Sequence, residues 1–168
     1  GPPPAAAVTA GGPPAQPPPW GAALASMLMT GVDTLAAMGA CIEQTIAHLN
    51  QRVQFGVALS TFQALRHRVV ECYVMYEGAR GLLLQTLREA EADLHAAGRG
   101  IRLAKLYLGH SGRLVAQAVV QLHGAMGMSE EVLAARLAKR MIANDFRHGD
   151  RLEQLGALTA QGLARSGA

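Results

Sequence analysis

Two short segments hold the residues whose types and spacing suit chemistry: Arg52-Val53-Gln54-Phe55-Gly56 and Gln121-Leu122-His123-Gly124-Ala125-Met126-Gly127. Each stands where one long helical pattern stops and the next begins. Helix ends and glycine turns are places where proteins hold phosphates and nucleotides. A guanidinium and side-chain amides beside an aromatic ring offer a dinucleotide charge, hydrogen-bond donors and a stacking face. Glycine adds close approach of backbone N–H groups. The flanking chain supplies no evident catalytic pair, so the pattern reads as a cofactor grip rather than a complete active site.

The elements that must position these segments are helices. Of 168 residues, 50% are apolar, mostly Ala, Leu, Val and Met, with 4% aromatic and 16% charged, a profile that favours closely packed helices. The length suits one folded unit with a real core. Leu24, Leu28, Gly31, Leu35, Met38, Ile42, Ile46 and Leu49 recur at spacings of three or four and predict one face of a long first helix beginning at Trp20. Phe62, Leu65, Val69, Cys72, Tyr76, Ala79, Leu83 and Leu87 repeat the pattern, with Ser60 as the expected cap and Gly98 as the expected stop after about Ala97.

A third helix is predicted from about Arg99 to Leu122, with Ile101, Ala104, Leu108, Val115, Ala118 and Leu122 inward and Gly109 and Gly112 weakening it. Ser129, followed by Glu130 and Glu131, suits the start of a fourth. After His148-Gly149-Asp150, a last helix runs from about Arg151 to Ala164. The expected fold is all-α, an antiparallel bundle of four to five helices spanning 20–168. All eight prolines lie in residues 1–19, which read as a Pro/Gly/Ala-rich linker or tail without regular structure. The initial Gly suggests a protease scar or a cut through a longer protein.

Other classes fit less well. A net charge of +3, with basic residues scattered singly or in pairs such as Lys139-Arg140, forms no nucleic-acid footprint. Cys41 and Cys72 lie inside apolar helical patterns and read as buried small hydrophobes in a reducing compartment. His48, His67, His95, His110, His123 and His148 are well separated and read as surface or boundary residues, not metal ligands. With no uninterrupted apolar run of about 18 residues and no signal-like N-terminus, the expectation is a soluble, cytoplasmic protein with no membrane partner.

The first segment, continued by Ser60-Thr61-Phe62-Gln63-Ala64-Leu65-Arg66-His67-Arg68, resembles the first two-helix junction of the acyl-CoA dehydrogenase C-terminal domain. The second resembles that family's glycine turn, in the same order and separation, and the likeness extends from about Trp20 to about Leu163. The resemblance implies a bundle that self-associates as a dimer or tetramer, or joins a full-length acyl-CoA dehydrogenase-like subunit, and supplies part of an FAD site in trans. By position, Arg52 and Gln54 would meet the FAD diphosphate, Phe55 the adenosine portion with Phe62 and Gln63 nearby, and Gln121, Gly124 and Ala125 the adenosine from the other turn. Ala125 stands where the family commonly has a second Gly. Taken without the family, Phe55 and Phe62 read as core plugs, Arg52 as a solvated charge, and Gly124 and Gly127 as helix stops.

The family removes the α-proton of an acyl-CoA thioester with a carboxylate while hydride leaves the β-carbon for flavin. In many members the base is a Glu just before a Gly, and the corresponding slot here is His148 before Gly149. In another branch the Glu comes from the first helix, where the stretch around Ser26 has no acid. His148 is therefore the candidate base; Asp145 or Asp150 would have to swing about a helix end to replace it. Nothing before Trp20 resembles the family's upstream domains, so an acyl-CoA substrate is expected only in a complete complex. Three readings stay open: an FAD-contacting and oligomerising domain, a catalytically silent partner subunit, and an unrelated helical interaction module.

Overall fold

Long amphipathic patterns joined by short breaks have one economical solution, in which each helix turns back along its predecessor. The computed structural model describes residues 19–129 and 131–166, and there the chain forms five α-helices. These are α1 (Pro19–Gln51), α2 (Gln63–Ala92), α3 (Gly98–His123), α4 (Leu133–Phe146) and α5 (Arg151–Ser166). The linker reading of residues 1–19 falls almost wholly outside the described residues, as does Glu130.

Cross-helix neighbours fix the directions. Gly39 and Gly31 of α1 face Tyr76 and Leu83 of α2, and Gly78 of α2 faces Tyr107 of α3, so these pairs run antiparallel. Gly31 meets Leu108, Thr34 meets Gly112 and His48 stacks on His123, so α1 and α3 run parallel. Lys105 reaches the carbonyls of Asn144 and Asp145, which sets α4 antiparallel to α3. The core between them contains Met38, Cys41, Ala79, Ile101, Val115 and Met141, all at most 1% exposed.

Every inward residue expected on α3 is buried, but Ile46 of α1 is 42% exposed. Thr30, Thr34 and Thr45 are buried on α1 instead, because each hydroxyl donates to the carbonyl four residues back, at 2.8, 2.8 and 2.7 Å. Both cysteines are free and buried, and burial pushes the Cys41 thiol up to about 12. By length and composition α1 is long and apolar enough to cross a membrane, yet half of its most apolar window is buried inside the bundle.

Several boundaries differ from the sequence reading. Ser60 does not cap α2: Phe62 holds the cap position, and the Ser60 carbonyl accepts from Arg66 Nε. Gly98 opens α3 rather than ending α2, because Asp93 breaks the chain first; its carboxylate accepts the His95 and Ala96 N–H groups at 2.8 and 3.1 Å. Ser129 folds into a turn, with its hydroxyl accepting the Glu131 N–H and its carbonyl the Val132 N–H, so α4 begins only at Leu133. α5 starts at Arg151 as expected, with the Asp150 carboxylate accepting the Glu153 N–H at 3.0 Å.

Candidate functional site

Because α1 and α3 run parallel, their carboxyl ends lie at one end of the bundle, and the two motif segments follow those ends directly. After α1 the chain forms a two-stranded hairpin, β1 (Val53–Gln54) with β2 (Val57–Ala58), in the register Val53↔Ala58 and Gln54↔Val57. Its two-residue loop has φ of +54° at Phe55 and +81° at Gly56, the signs a type I′ turn requires. After α3 the chain turns at Gly124, with φ +60° and ψ −138°, into a short 3₁₀ segment, Gly124–Met128. A side chain at Gly127 would collide with the Val120 backbone, which explains that glycine.

Between these turns lies a cleft of about 370 Å³, lined by Arg52 and Gln54 from one side and Gln121, Gly124 and Ala125 from the other. Five of the expected cofactor contacts therefore share one surface. Arg52 is exposed, and its guanidinium has no hydrogen-bond or ion-pair partner among the described residues. The space a Cβ would take at Gly124 is open. Phe55, Phe62 and Gln63 do not line the cleft. Phe55 and Phe62 make an edge-to-face pair, centroids 6.3 Å apart, and neither is the core plug that the residues alone suggested: Phe55 is 91% exposed. Gln63 is exposed in the first turn of α2 beside them.

Two residues of this site escaped the sequence reading. The rings of His48 and His123 stack at the cleft wall, centroids 4.5 Å apart and 23° from parallel, so these histidines are a pair rather than separate boundary residues. Their signal was present: each occupies the last turn of a helix, and parallel α1 and α3 bring those turns together. His123 Nδ1 donates to the Val119 carbonyl at 2.9 Å. Burial, the neighbouring His123 and Arg52 together hold the His48 imidazole below the ordinary histidine range. Two of the helix ends here, those of α1 and α3, are carboxyl ends, whose dipoles attract cations, while the amino end of α2, whose Leu65 lines the cleft, has the sign that favours an anion.

The His148 turn lies at the opposite end of α4, about 20 Å away by helix rise. His148 has φ +58° and Gly149 φ +90°, and the imidazole is exposed. Beneath them Gln154, fully buried, donates to the His148 carbonyl at 3.1 Å and accepts from Arg102 at 2.9 Å. Asp145 is 3% exposed and receives Arg113 at 2.8 Å, with Arg151 at 3.5 Å. Asp145 thus pairs with these cations, and the Asp150 carboxylate caps α5. On α1, Asp33 is tied to Arg140 and Asn144. Among the described residues no three His, Cys, Asp or Glu side chains group as a metal site.

A parallel pair of helices ending in a cleft that carries Arg52, held within a five-helix bundle, defines an all-α helical domain. Residues 25–160 match the acyl-CoA dehydrogenase C-terminal domain, and the chain belongs to that family of flavoprotein oxidoreductases. It is 28% identical over 141 residues to the acyl-CoA dehydrogenase IpdE2 of Mycolicibacterium smegmatis, covering 84% of this chain and 43% of that protein. The fold matches butyryl-CoA dehydrogenase from Megasphaera elsdenii with a TM-score of 0.78 at 22% identity, covering 84% of this chain and 37% of that one. It also matches a chain of the ChsE4-ChsE5 complex from Mycobacterium tuberculosis with a TM-score of 0.77 at 23% identity, covering 84% and 38%. The chain therefore spans well under half the length of these relatives, and the family match displaces the reading of an unrelated interaction module.

Proposed function

We propose that this chain is the FAD-contacting and oligomerising domain of an acyl-CoA dehydrogenase-like oxidoreductase that acts on an acyl-CoA thioester only when assembled. The observation that carries this reading is the cleft where an unpaired Arg52 faces Gln54, Gln121 and the open Gly124 turn. Those groups fit a diphosphate-linked nucleotide: Arg52 would bind its oxygens, and Gln54 and Gln121 would give amide hydrogen bonds. When bound, FAD supplies an acceptor for the hydride that leaves the acyl β-carbon.

His148 and the cleft face opposite ends of one bundle. A cofactor held by Arg52 would therefore work with the α4–α5 turn of another chain. This favours a shared site, with the exposed Phe55 reaching toward the neighbour. The neighbour is a second copy or a full-length acyl-CoA dehydrogenase-like subunit; one structural relative was solved as a two-protein complex. His148, as the base, would take the α-proton. A catalytically silent partner subunit is the second reading, favoured by the commitment of both nearby acids, Asp145 and Asp150, to structural contacts.

The test is the flavin absorbance of the purified chain, alone and mixed with a full-length family member, together with its mass in solution. Bound flavin lost in Arg52→Ala, with the oligomer intact, supports the cofactor contact; an oligomer that stays colourless under every condition leaves the scaffold reading. In an active reconstituted complex, turnover unchanged by His148→Gln removes His148 as the base.

A further inference from the structure

We propose that the stacked His48–His123 pair is part of the cleft's anion-binding apparatus and that a diphosphate diester binds there with uptake of a proton by His48. This rests on the reading of the cleft as a nucleotide contact and adds to it a ligand-linked protonation.

The geometry sets the requirement. The cleft sits at the carboxyl ends of α1 and α3, where helix dipoles oppose an anion, and beside the amino end of α2, whose dipole only partly offsets them. A diphosphate diester carries two negative charges, and the cleft lining offers one permanent positive charge, Arg52. No carboxylate lines the cleft among the described residues. Beside the imidazole pair, the chain just past α1 lines the cleft with Arg52, and α3 and the hairpin line it with the neutral Gln121 and Gln54. α2 lines it with Leu65, and the adjacent Arg66 gives its Nε to the Ser60 carbonyl. The histidines are therefore the groups in this lining able to add positive charge.

The cleft's own groups are set against that second charge. Burial, the second ring and Arg52 hold His48 below its ordinary range, so the neutral form prevails near pH 7. Because the Val119 carbonyl can only accept, His123 carries a hydrogen on Nδ1. An entering diphosphate offsets the repulsion from Arg52 and raises the proton affinity of His48. Uptake of one proton changes a ring nitrogen from acceptor to donor. By linkage, a ligand that raises this affinity binds more tightly as pH falls through the window between the bound and free titrations. Each unit of upward shift gives about a tenfold gain in affinity.

The experiment uses ADP-ribose, whose diphosphate diester does not titrate near neutral pH, and adenosine as the uncharged control. Calorimetric titration of the full chain at pH 7 in buffers of different ionisation enthalpy reads the proton count, and titrations from pH 8 to 5.5 read the affinity. The expected result is net uptake with ADP-ribose, none with adenosine, and affinity about tenfold higher at the acid end. His48→Gln should keep binding at pH 8 while losing both the uptake and the pH slope. NMR titration of the His48 ring with and without ADP-ribose gives a readout independent of the variant, with an upward shift expected. Binding that persists in the wild type without uptake or slope overturns the proton linkage and leaves the Arg52 contact standing. Absence of ADP-ribose binding, with an unmoved His48 titration, overturns both.

Discussion

Gly109→Ala tests the packing that holds the His148 turn, because the same substitution has opposing effects whose balance the structure decides. In a helix interior alanine gains about 1 kcal/mol over glycine. At Gly109, however, the added methyl group would fall on the Asp145 Oδ1 atom, with Asp145 Cγ at 3.1 Å and Arg151 Cγ at 3.6 Å. That carboxylate cannot simply move aside. Its side chain is 2% exposed and ion-paired to Arg113, and Oδ1 is buried with no hydrogen-bond partner. Overpacking costs about 1–3 kcal/mol, and dislodging one member of a buried pair approaches the 3–5 kcal/mol of removing it. After the helix gain, a net loss of about 2–4 kcal/mol is expected. Urea unfolding followed by circular dichroism measures it. Gly81→Ala is the control, since nothing lies within 4 Å of its added methyl, and it should stabilise by up to about 1 kcal/mol. If Gly109→Ala matches or exceeds the wild type in stability, the Asp145 contact has been misread. In an Asp145→Ala background most of the Gly109→Ala penalty should vanish.

Gly124→Ala meets no neighbour within 4 Å, but φ of +60° with ψ of −138° is a glycine conformation, so backbone strain of about 1–3 kcal/mol should appear as a lower melting temperature; an unchanged melting temperature would show that the turn relaxes freely. For Asp33, burial would raise the carboxyl pKa, but hydrogen bonds from Arg140 and Asn144 outweigh it and hold it below the ordinary range. Its contribution is therefore present above about pH 4 and lost as pH falls through the lowered value, so Asp33→Asn should flatten the acid limb of the stability curve and cost about 1 kcal/mol at neutral pH, while an unaltered limb would count against the pairing.

The helices were legible because their inward residues repeat every three or four positions, and α3 obeyed that period throughout. Their ends were less legible, since local competition sets them. Asp93 breaks the chain ahead of Gly98, and Ser129 closes a turn instead of a cap. Buried threonines on α1 escaped a hydropathy reading because back-bonding to the preceding turn satisfies their hydroxyls. Gly109 and Gly112 looked like weak points in a helix. In the fold each makes room for a neighbour: Asp145 at Gly109, and the Thr34 methyl at Gly112. The site was half legible. Arg52, Gln54, Gln121, Gly124 and Ala125 converge on one cleft, whereas the His48–His123 stack is signalled only by two last-turn histidines and becomes a pair through the parallel course of α1 and α3.

Backbone conformation connects the two ends of the molecule. Among the described residues, Phe55 and His148 are the two non-glycine positions with positive φ, and both belong to motif segments. A bulky side chain in the left-handed region carries a cost of about 1–3 kcal/mol, which persists only where surrounding structure holds it. The hairpin pairing imposes it at Phe55, and the Gln154–Arg102 contacts hold the His148 carbonyl. Strain maintained within a single bundle fixes the direction of a side chain, yet both rings are exposed and they stand at opposite ends. In the shared site proposed above, the two rings would serve sites formed with different neighbours, so oligomerisation and cofactor binding are expected to fail together. Dilution that dissociates the oligomer should release bound flavin from the same transition, and flavin retained by the monomer would break that link.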